Sequence, residues 1–170
     1  ENEHLERSRV EAQLAMLQSK VNPHFLFNTL NTMVDLVHRE PDKVERMILG
    51  LSEIYRRVLT LSDSATLSLG EELRLVEAYL EIEAIRMGPR LVWSVDVPAS
   101  VRDVRVPPLA VEVLVENAVQ HGLAPRKAGG QLWVRAERSD DGVLIEVADD
   151  GVGLRLDERA GAFGLRSIRE

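Results

Sequence analysis

Apolar residues at Val10, Leu14, Leu17 and Val21 step by four, three and four, the spacing of a coiled-coil seam. The same step continues onto His24, Asn28, Asn31 and Asp35, so the seam turns polar at the histidine. A neighbouring stripe of Leu26, Leu30, Met33 and Val37 is expected to carry the hydrophobic burial onward. The pattern predicts one long helix over residues 4–38. Pro23, which lacks an N–H and clashes with the preceding turn, should kink or break it one residue before His24. His38 to Asp42 reads as a turn with Pro41 placed to start the next helix. That second helix, from Asp42 to Leu61, carries Met47, Leu51, Ile54, Val58 and Leu61 at the same four-three step. Two such helices joined by a short turn make an antiparallel hairpin. A hairpin of ~60 residues has too small a core to stand alone, so pairing with a second copy into a four-helix bundle, a homodimer, is expected.

Polar residues Ser62 to Thr66 interrupt the pattern, which puts a domain boundary between residues 66 and 67. Ser68 and Glu71 have capping-box spacing for a helix running to Met87, stopped by Gly88-Pro89. That helix is apolar on two sides, Leu73, Val76 and Leu80 on one and Leu75, Tyr79 and Ile82 on the other, so it should pack against a sheet and a further element. Leu91 to Val97 alternates as a strand, and Pro107-Pro108 opens a helix from Leu109 to His121, ended by Gly122. Ala124 to Gly130 is a polar, glycine-containing loop. Leu132–Arg138 and Val143–Asp149 read as strands around a hairpin turn at Ser139 to Gly142. A glycine-punctuated loop over 151–164 leads to a last helix near Leu165. The fold class is therefore α+β: an N-terminal helical hairpin forming a dimeric four-helix bundle over 1–66, then a two-layer α/β sandwich over 67–170 with a mostly antiparallel or mixed sheet.

Composition narrows the picture. The chain of 170 residues is 45% hydrophobic and 29% charged, which suits one large or two small globular domains. A net charge of −7 with no local gathering of Lys and Arg argues against a nucleic-acid surface. Without cysteine, neither a disulfide nor a thiolate metal site can form. No apolar run approaches the ~18 residues of a membrane span. The chain starts at Glu1 rather than Met and still reads as helix at Glu170, so it is expected to be a piece of something longer. Any membrane segment would lie upstream.

Three places carry candidate chemistry. A histidine on an apolar face, such as His24, is by itself more often a hydrogen-bonded core residue than a reactive one. On the Leu109–His121 helix, Ala110, Val113, Leu114, Asn117, Ala118 and His121 share a face. If that face is buried, Asn117 and His121 either bond to the sheet or line a polar pocket, with the Asn117 oxygen on Mg²⁺ and His121 near phosphates. A magnesium ion in a nucleotide site needs only one or two protein oxygens. Asp149-Asp150-Gly151-Val152-Gly153 directly follows a strand. Asp-Gly is common in turns, and Asp140-Asp141-Gly142 of this chain is one such turn. The later copy differs in context, being followed by Gly153, Gly161 and Gly164 before a helix start. Glycines let backbone approach a ligand closely, and Asp149 at the strand end could accept a hydrogen bond from an exocyclic amine such as that of adenine.

Taken together and in order, these segments resemble the LytS-type sensor histidine kinases from about Leu17 to the last residue. Gln18 to Asn28 is similar to the family's phospho-acceptor box, and Glu116 to Gly122 to its asparagine box. Asp149 to Gly153 and Phe163 to Ile168 are similar to its two glycine boxes. The resemblance implies a dimerisation and phosphotransfer domain followed by an ATP-binding domain of the Bergerat type, shared with gyrase and Hsp90. It implies that His24 accepts the γ-phosphoryl group of ATP and passes it to an aspartate on the receiver domain of a response regulator. It further implies that Asn117 ligates Mg²⁺ and that Asp149 reads the adenine amine. Gly151, Gly153, Gly161 and Gly164 would frame the lid, and His121 would lie by the phosphates. Asn28, one turn past His24, could orient a water for dephosphorylation or be a solvated or seam-register residue; Glu116 could assist catalysis or be a solvated carboxylate. Phe25 stands where many histidine kinases have an acidic proton partner, so the base is unassigned. Gln120 stands where many have a phosphate-binding lysine, a role Arg126 or Lys127 would take over. The implied setting is the cytoplasmic portion of an inner-membrane sensor, and the closing elements of the ATP domain are expected past Glu170. Two other readings keep the same motifs: an ATPase of this fold that does not phosphorylate itself, and a degenerate kinase acting as a non-catalytic dimeric relay.

Overall fold

The computed structural model describes residues 22–60, 66–140 and 142–153. The chain divides into two compact units, Glu1–Asp63 and Ser64–Glu170.

In the first unit, helix α1 spans Pro23–Leu36 and α2 spans Pro41–Thr60, packed against each other across the turn at 37–40. Pro23 marks the start of this helix, at the break expected just before His24. It occupies the first helical turn behind Asn22, which has an extended backbone and caps the helix. That is where proline costs nothing, because its missing N–H would have had no intrahelical partner. The seam expected at Val10 to Val21 lies outside the described residues. The buried stripe of α1 is Phe25, Thr29 and Met33, stepping by four, rather than Leu26, Leu30, Met33 and Val37: Leu30 and Val37 are exposed and Leu26 is half-buried. Thr29 is accommodated because its hydroxyl donates to the Phe25 carbonyl at 2.8 Å. On α2 the expected stripe holds for Met47 and Val58, which are buried, and for Leu51 and Ile54, which are half-buried, while Leu61 lies outside the described residues. Phe27, Leu30, Val34, Val37, Ile48, Leu49 and Leu59 remain exposed on the isolated hairpin.

The second unit begins with β1 (Leu67–Ser68), paired antiparallel with β3 (Arg105–Val106). Helix α3 (Leu69–Met87) starts in a full capping box: Glu71 N–H donates to the Ser68 hydroxyl at 3.2 Å, and Ser68 N–H donates to the Glu71 carboxylate at 2.9 Å. The bonds its carboxylate accepts from the Ser68 N–H and hydroxyl hold the Glu71 carboxyl below its usual range. Both apolar faces of α3 are used, as expected, and the helix packs on strand β2 (Leu91–Asp96) and on helix α4 (Ala110–Asn117). Leu69, Leu73, Leu75, Val76, Leu80 and Ile82 are sealed from solvent. Gly88, at φ 61°, ends α3 with a backbone that β-carbon residues rarely adopt.

The sheet is mixed. β4 (Gly130–Ser139) lies between β2, its parallel neighbour, and β5 (Gly142–Asp149), its antiparallel neighbour through the 139–142 turn. Pairing of Trp93 with Leu132 and of Leu132 with Asp149 puts those three positions in one row across the sheet. Leu91, Leu132, Val134 and Ala136 form the buried side, under the helices. Directly after Asn117 the helix widens to π-type turns over Ala118–Leu123, which pack on β4 and β5. The helical path thus runs through Gly122 instead of ending there. A π-type segment shifts every later side chain relative to an α-helix, a feature frequent at functional sites.

Candidate functional sites

His24 is exposed in the first turn of α1. The Asn22 side chain accepts hydrogen bonds from His24 N–H at 3.0 Å and Phe25 N–H at 3.1 Å, which anchors the backbone under the imidazole. One turn on, the Asn28 amide nitrogen lies 3.1 Å from His24 Nε2 and 3.3 Å from Nδ1. An amide N–H can donate only to the unprotonated ring nitrogen, so Asn28 addresses the lone pair of the imidazole. The first turn contains no acidic side chain. His24 is therefore a solvent-facing imidazole with the neutral Asn28 amide as its side-chain hydrogen-bonding neighbour among the described residues, rather than a buried core histidine.

In the second unit the chemistry gathers where the π-type segment meets the end of β5. Asn117 and His121 are exposed, so the face they share is not the buried one. Core contact belongs to Val111, Val115, Ala118, Val119 and Leu123. Beside them, Asp149 ends β5, and its Oδ1 accepts from Gly151 N–H at 2.9 Å. Val152 N–H donates to the Gly122 carbonyl at 2.9 Å, tying the chain after β5 to the helix that carries Asn117. Two glycines make this approach possible. A β-carbon on Gly122 would lie 2.9 Å from Asp149 Cγ, and one on Gly151 would run into the backbone of Gly122. Gly153 has φ 76°, the region glycine tolerates. Gly161 and Gly164 lie outside the described residues, as does the helix expected near Leu165.

Asp150 has a different task from its neighbour. Its N–H donates to the Gln131 carbonyl at 3.2 Å, its carboxylate accepts from Gln131 N–H at 2.6 Å, and its carbonyl accepts from Arg126. Arg126 also lies 3.7 Å from the Asp150 carboxylate, so this cation is engaged in closing the β4–β5 end. Glu116 is half-buried and accepts from the Gln120 amide at 2.7 Å.

The sequence reading missed Glu72. This carboxylate of α3 is fully buried and accepts backbone hydrogen bonds from Leu109 (3.0 Å), Val111 (3.0 Å) and Glu112 (3.2 Å), the start of α4. The signal was available: Glu72 shares a helix face with Leu69, Leu73, Val76 and Leu80, where a carboxylate needs donors to be tolerated. Burial raises the Glu72 carboxyl, and the three N–H donors oppose that. Glu112 is pushed up to about 8 by burial and by the nearby Glu116 and Glu72 carboxylates. Glu83 is likewise raised by burial, with Arg86 beside it as a partner.

Residues 12–91 match the family described as histidine kinase, and residues 105–169 match the histidine kinase-, DNA gyrase B- and HSP90-like ATPases. Sensor protein LytS of Staphylococcus saprophyticus is 37% identical over 93% of this chain and 27% of its own length. Sensor histidine kinase/phosphatase LytS of Staphylococcus aureus is 37% identical over 87% of this chain and 26% of its own length. The chain belongs to the histidine kinases. It carries the catalytic core of a LytS-type sensor kinase and spans about a quarter of the length of these relatives. A solved histidine kinase domain, from the blue-light activated kinase EL346 of Erythrobacter litoralis, aligns over 95% of this chain and 81% of that one, at 22% identity and a TM-score of 0.48.

Within this histidine kinase, the ATPase-type region holds the Asn117 and Asp149 cluster, and the histidine kinase region holds His24. Magnesium fits the donor set. Asn117 offers one exposed amide oxygen, and no group of three His, Asp or Glu side chains among the described residues could hold a metal unaided. A magnesium ion in a nucleotide site takes its other ligands from phosphates and water.

Proposed function

We propose that this chain binds Mg·ATP at the Asn117–Asp149 cluster, transfers the γ-phosphoryl group to His24, and passes it on to an aspartate of a response regulator. The observation that carries this reading is the glycine-lined junction of Gly122 and Gly151, which brings Asp149 and the Asn117 helix together with no side chain between them. Asp149 accepts from the exocyclic amine of adenine, and Asn117 holds the metal that neutralises phosphate charge. Gly151 and Gly153 let the backbone follow the nucleotide, with Gly161 and Gly164 assigned to the lid. His121 faces the phosphates from the same segment.

In the chemical step a ring nitrogen lone pair of His24 attacks the γ-phosphorus. The bond to the β–γ bridging oxygen breaks, ADP leaves, and the other ring nitrogen gives up its proton to solvent or a nearby base. Phosphoryl transfer needs alignment and charge neutralisation more than covalent assistance from the protein. The phosphohistidine carries its negative charge at the amino end of α1, where the helix dipole favours it and the first turn holds no acidic side chain to oppose it. Glu116, held by Gln120, is the carboxylate nearest Asn117 in sequence and is assigned an assisting role. Asn28 must release the ring lone pair before attack. Afterwards its amide is placed to orient a water for dephosphorylation, in keeping with a relative named as both kinase and phosphatase.

A second copy of the chain covers the exposed apolar positions of the hairpin, giving a homodimer. Leaving Val34 72% and Phe27 64% exposed would be costly in a lone hairpin. The enzyme operates in the cytoplasm, where ATP and the regulator are found. The test is incubation with Mg²⁺ and γ-labelled ATP. Label that is lost in acid, kept in alkali and absent in His24→Ala is expected. ATP binding with no covalent label would point to the plain ATPase, and loss of both to the non-catalytic relay.

A further inference from the structure

Helix α4 provides no cap of its own. Leu109, the residue before it, makes no capping bond and sits at φ 64° and ψ 12°, a left-handed conformation that is strained for leucine. The helix has only eight α-helical residues before it widens, too few to be stable on intrinsic propensity. Its free N–H groups are instead taken by a side chain from another helix, since Glu72 accepts from Leu109, Val111 and Glu112. Glu72 is itself fixed, one residue past the Ser68–Glu71 capping box at the start of α3.

We propose that Glu72 is the positioning residue for the nucleotide site: its carboxylate sets the placement of α4 and thereby of Asn117 at the other end. This rests on the reading that Asn117 binds magnesium. A displacement of the first turn of α3 therefore moves Asn117 through the Glu72 contact. Asp149 stands on β5 and is held by Gly151, so contacts to the adenine do not pass through Glu72.

The test uses Glu72→Gln in the full chain. The substitution keeps size but turns an amide N–H toward backbone donors, leaving at least one without an acceptor. ATP affinity is measured by fluorescent-analogue displacement with magnesium and with EDTA. Glu72→Gln should weaken binding about tenfold in magnesium and far less in EDTA, with Glu72→Asp recovering part of the loss. Gly88→Ala serves as a stability control, since a β-carbon at φ 61° strains the far end of α3 without touching Glu72 or the donors of α4. An equal loss in both media, or the same magnesium-dependent loss in Gly88→Ala at matched melting temperature, would overturn the positioning role. Amide exchange in the wild type tests the contact without any variant. Protected N–H groups at Val111 and Glu112 are expected, and free-chain exchange rates there would also overturn it. If wild-type binding is indifferent to magnesium and to Asn117→Ala, the metal reading itself fails, which is a separate outcome.

Discussion

Gly122→Ala separates the recognition of ATP from the stability of the fold. The added methyl would lie 2.9 Å from Asp149 Cγ and 3.2 Å from Oδ2, well inside the ~3.5–4.0 Å of ordinary contact. The obstacle is an exposed side chain, so the carboxylate can rotate away and the backbone need not move. Rotation breaks the bond to Gly151 N–H, worth about 1 kcal/mol net, while alanine gains about as much over glycine in a helical segment. The melting temperature should therefore stay within a few degrees of wild type. Binding should suffer much more. Displacing the carboxylate proposed to accept from the adenine amine should forfeit about 1.5–3 kcal/mol, or roughly 10- to 150-fold in ATP affinity. Guanine carries a carbonyl at the corresponding position, so the preference for ATP over GTP should shrink with it. Competition titrations of a fluorescent nucleotide with ATP and GTP, on wild type and Gly122→Ala, measure both quantities. Wild-type affinity and unchanged discrimination in a folded Gly122→Ala would refute the assignment of Asp149. Gly151→Ala provides the contrast. Its β-carbon meets the backbone of Gly122, which cannot rotate aside, so folding itself should be destabilised.

Glu112 makes stability depend on pH in the alkaline direction. Its carboxyl is raised from 4.5 to about 8 on folding, so the folded state holds a proton that the unfolded chain releases above about pH 4.5. Stability should fall as pH rises from about 4.5 to 8 and level off beyond; Glu112→Gln should flatten that slope and stabilise the protein by about 1–3 kcal/mol at pH 8.5, measured by urea unfolding across pH. A slope unchanged in the variant would count against this account. Asn22→Ala removes the acceptor for His24 and Phe25 N–H and should cost α1 about 1 kcal/mol, seen as faster amide exchange in the first turn and slower labelling of His24. Labelling at the wild-type rate would mean that the cap does not position the nucleophile.

Much of this protein was legible from local chemistry. A capping box, a glycine stop, two-sided apolar periodicity and a turn signal are properties of neighbouring residues. They placed α3, α2, β2 and the β4–β5 hairpin from spacing alone. The order of the histidine, asparagine and glycine segments, through the family resemblance it carries, singled out His24, Asn117 and Asp149 as candidates. What spacing could not decide were matters settled between elements. Which side of α1 is buried depends on where α2 lies, and packing chose Phe25, Thr29 and Met33. The Asn117 face proved open because the sheet takes up the opposite, valine-rich side of that helix, and the π-type turns carry the chain through Gly122 to meet Gly151. Glu72 shows the division most clearly. Its position among leucines and valines announced only an unmet need for donors, and those donors come from residues some forty positions away in the chain, which only the tertiary fold brings within 3.0–3.2 Å.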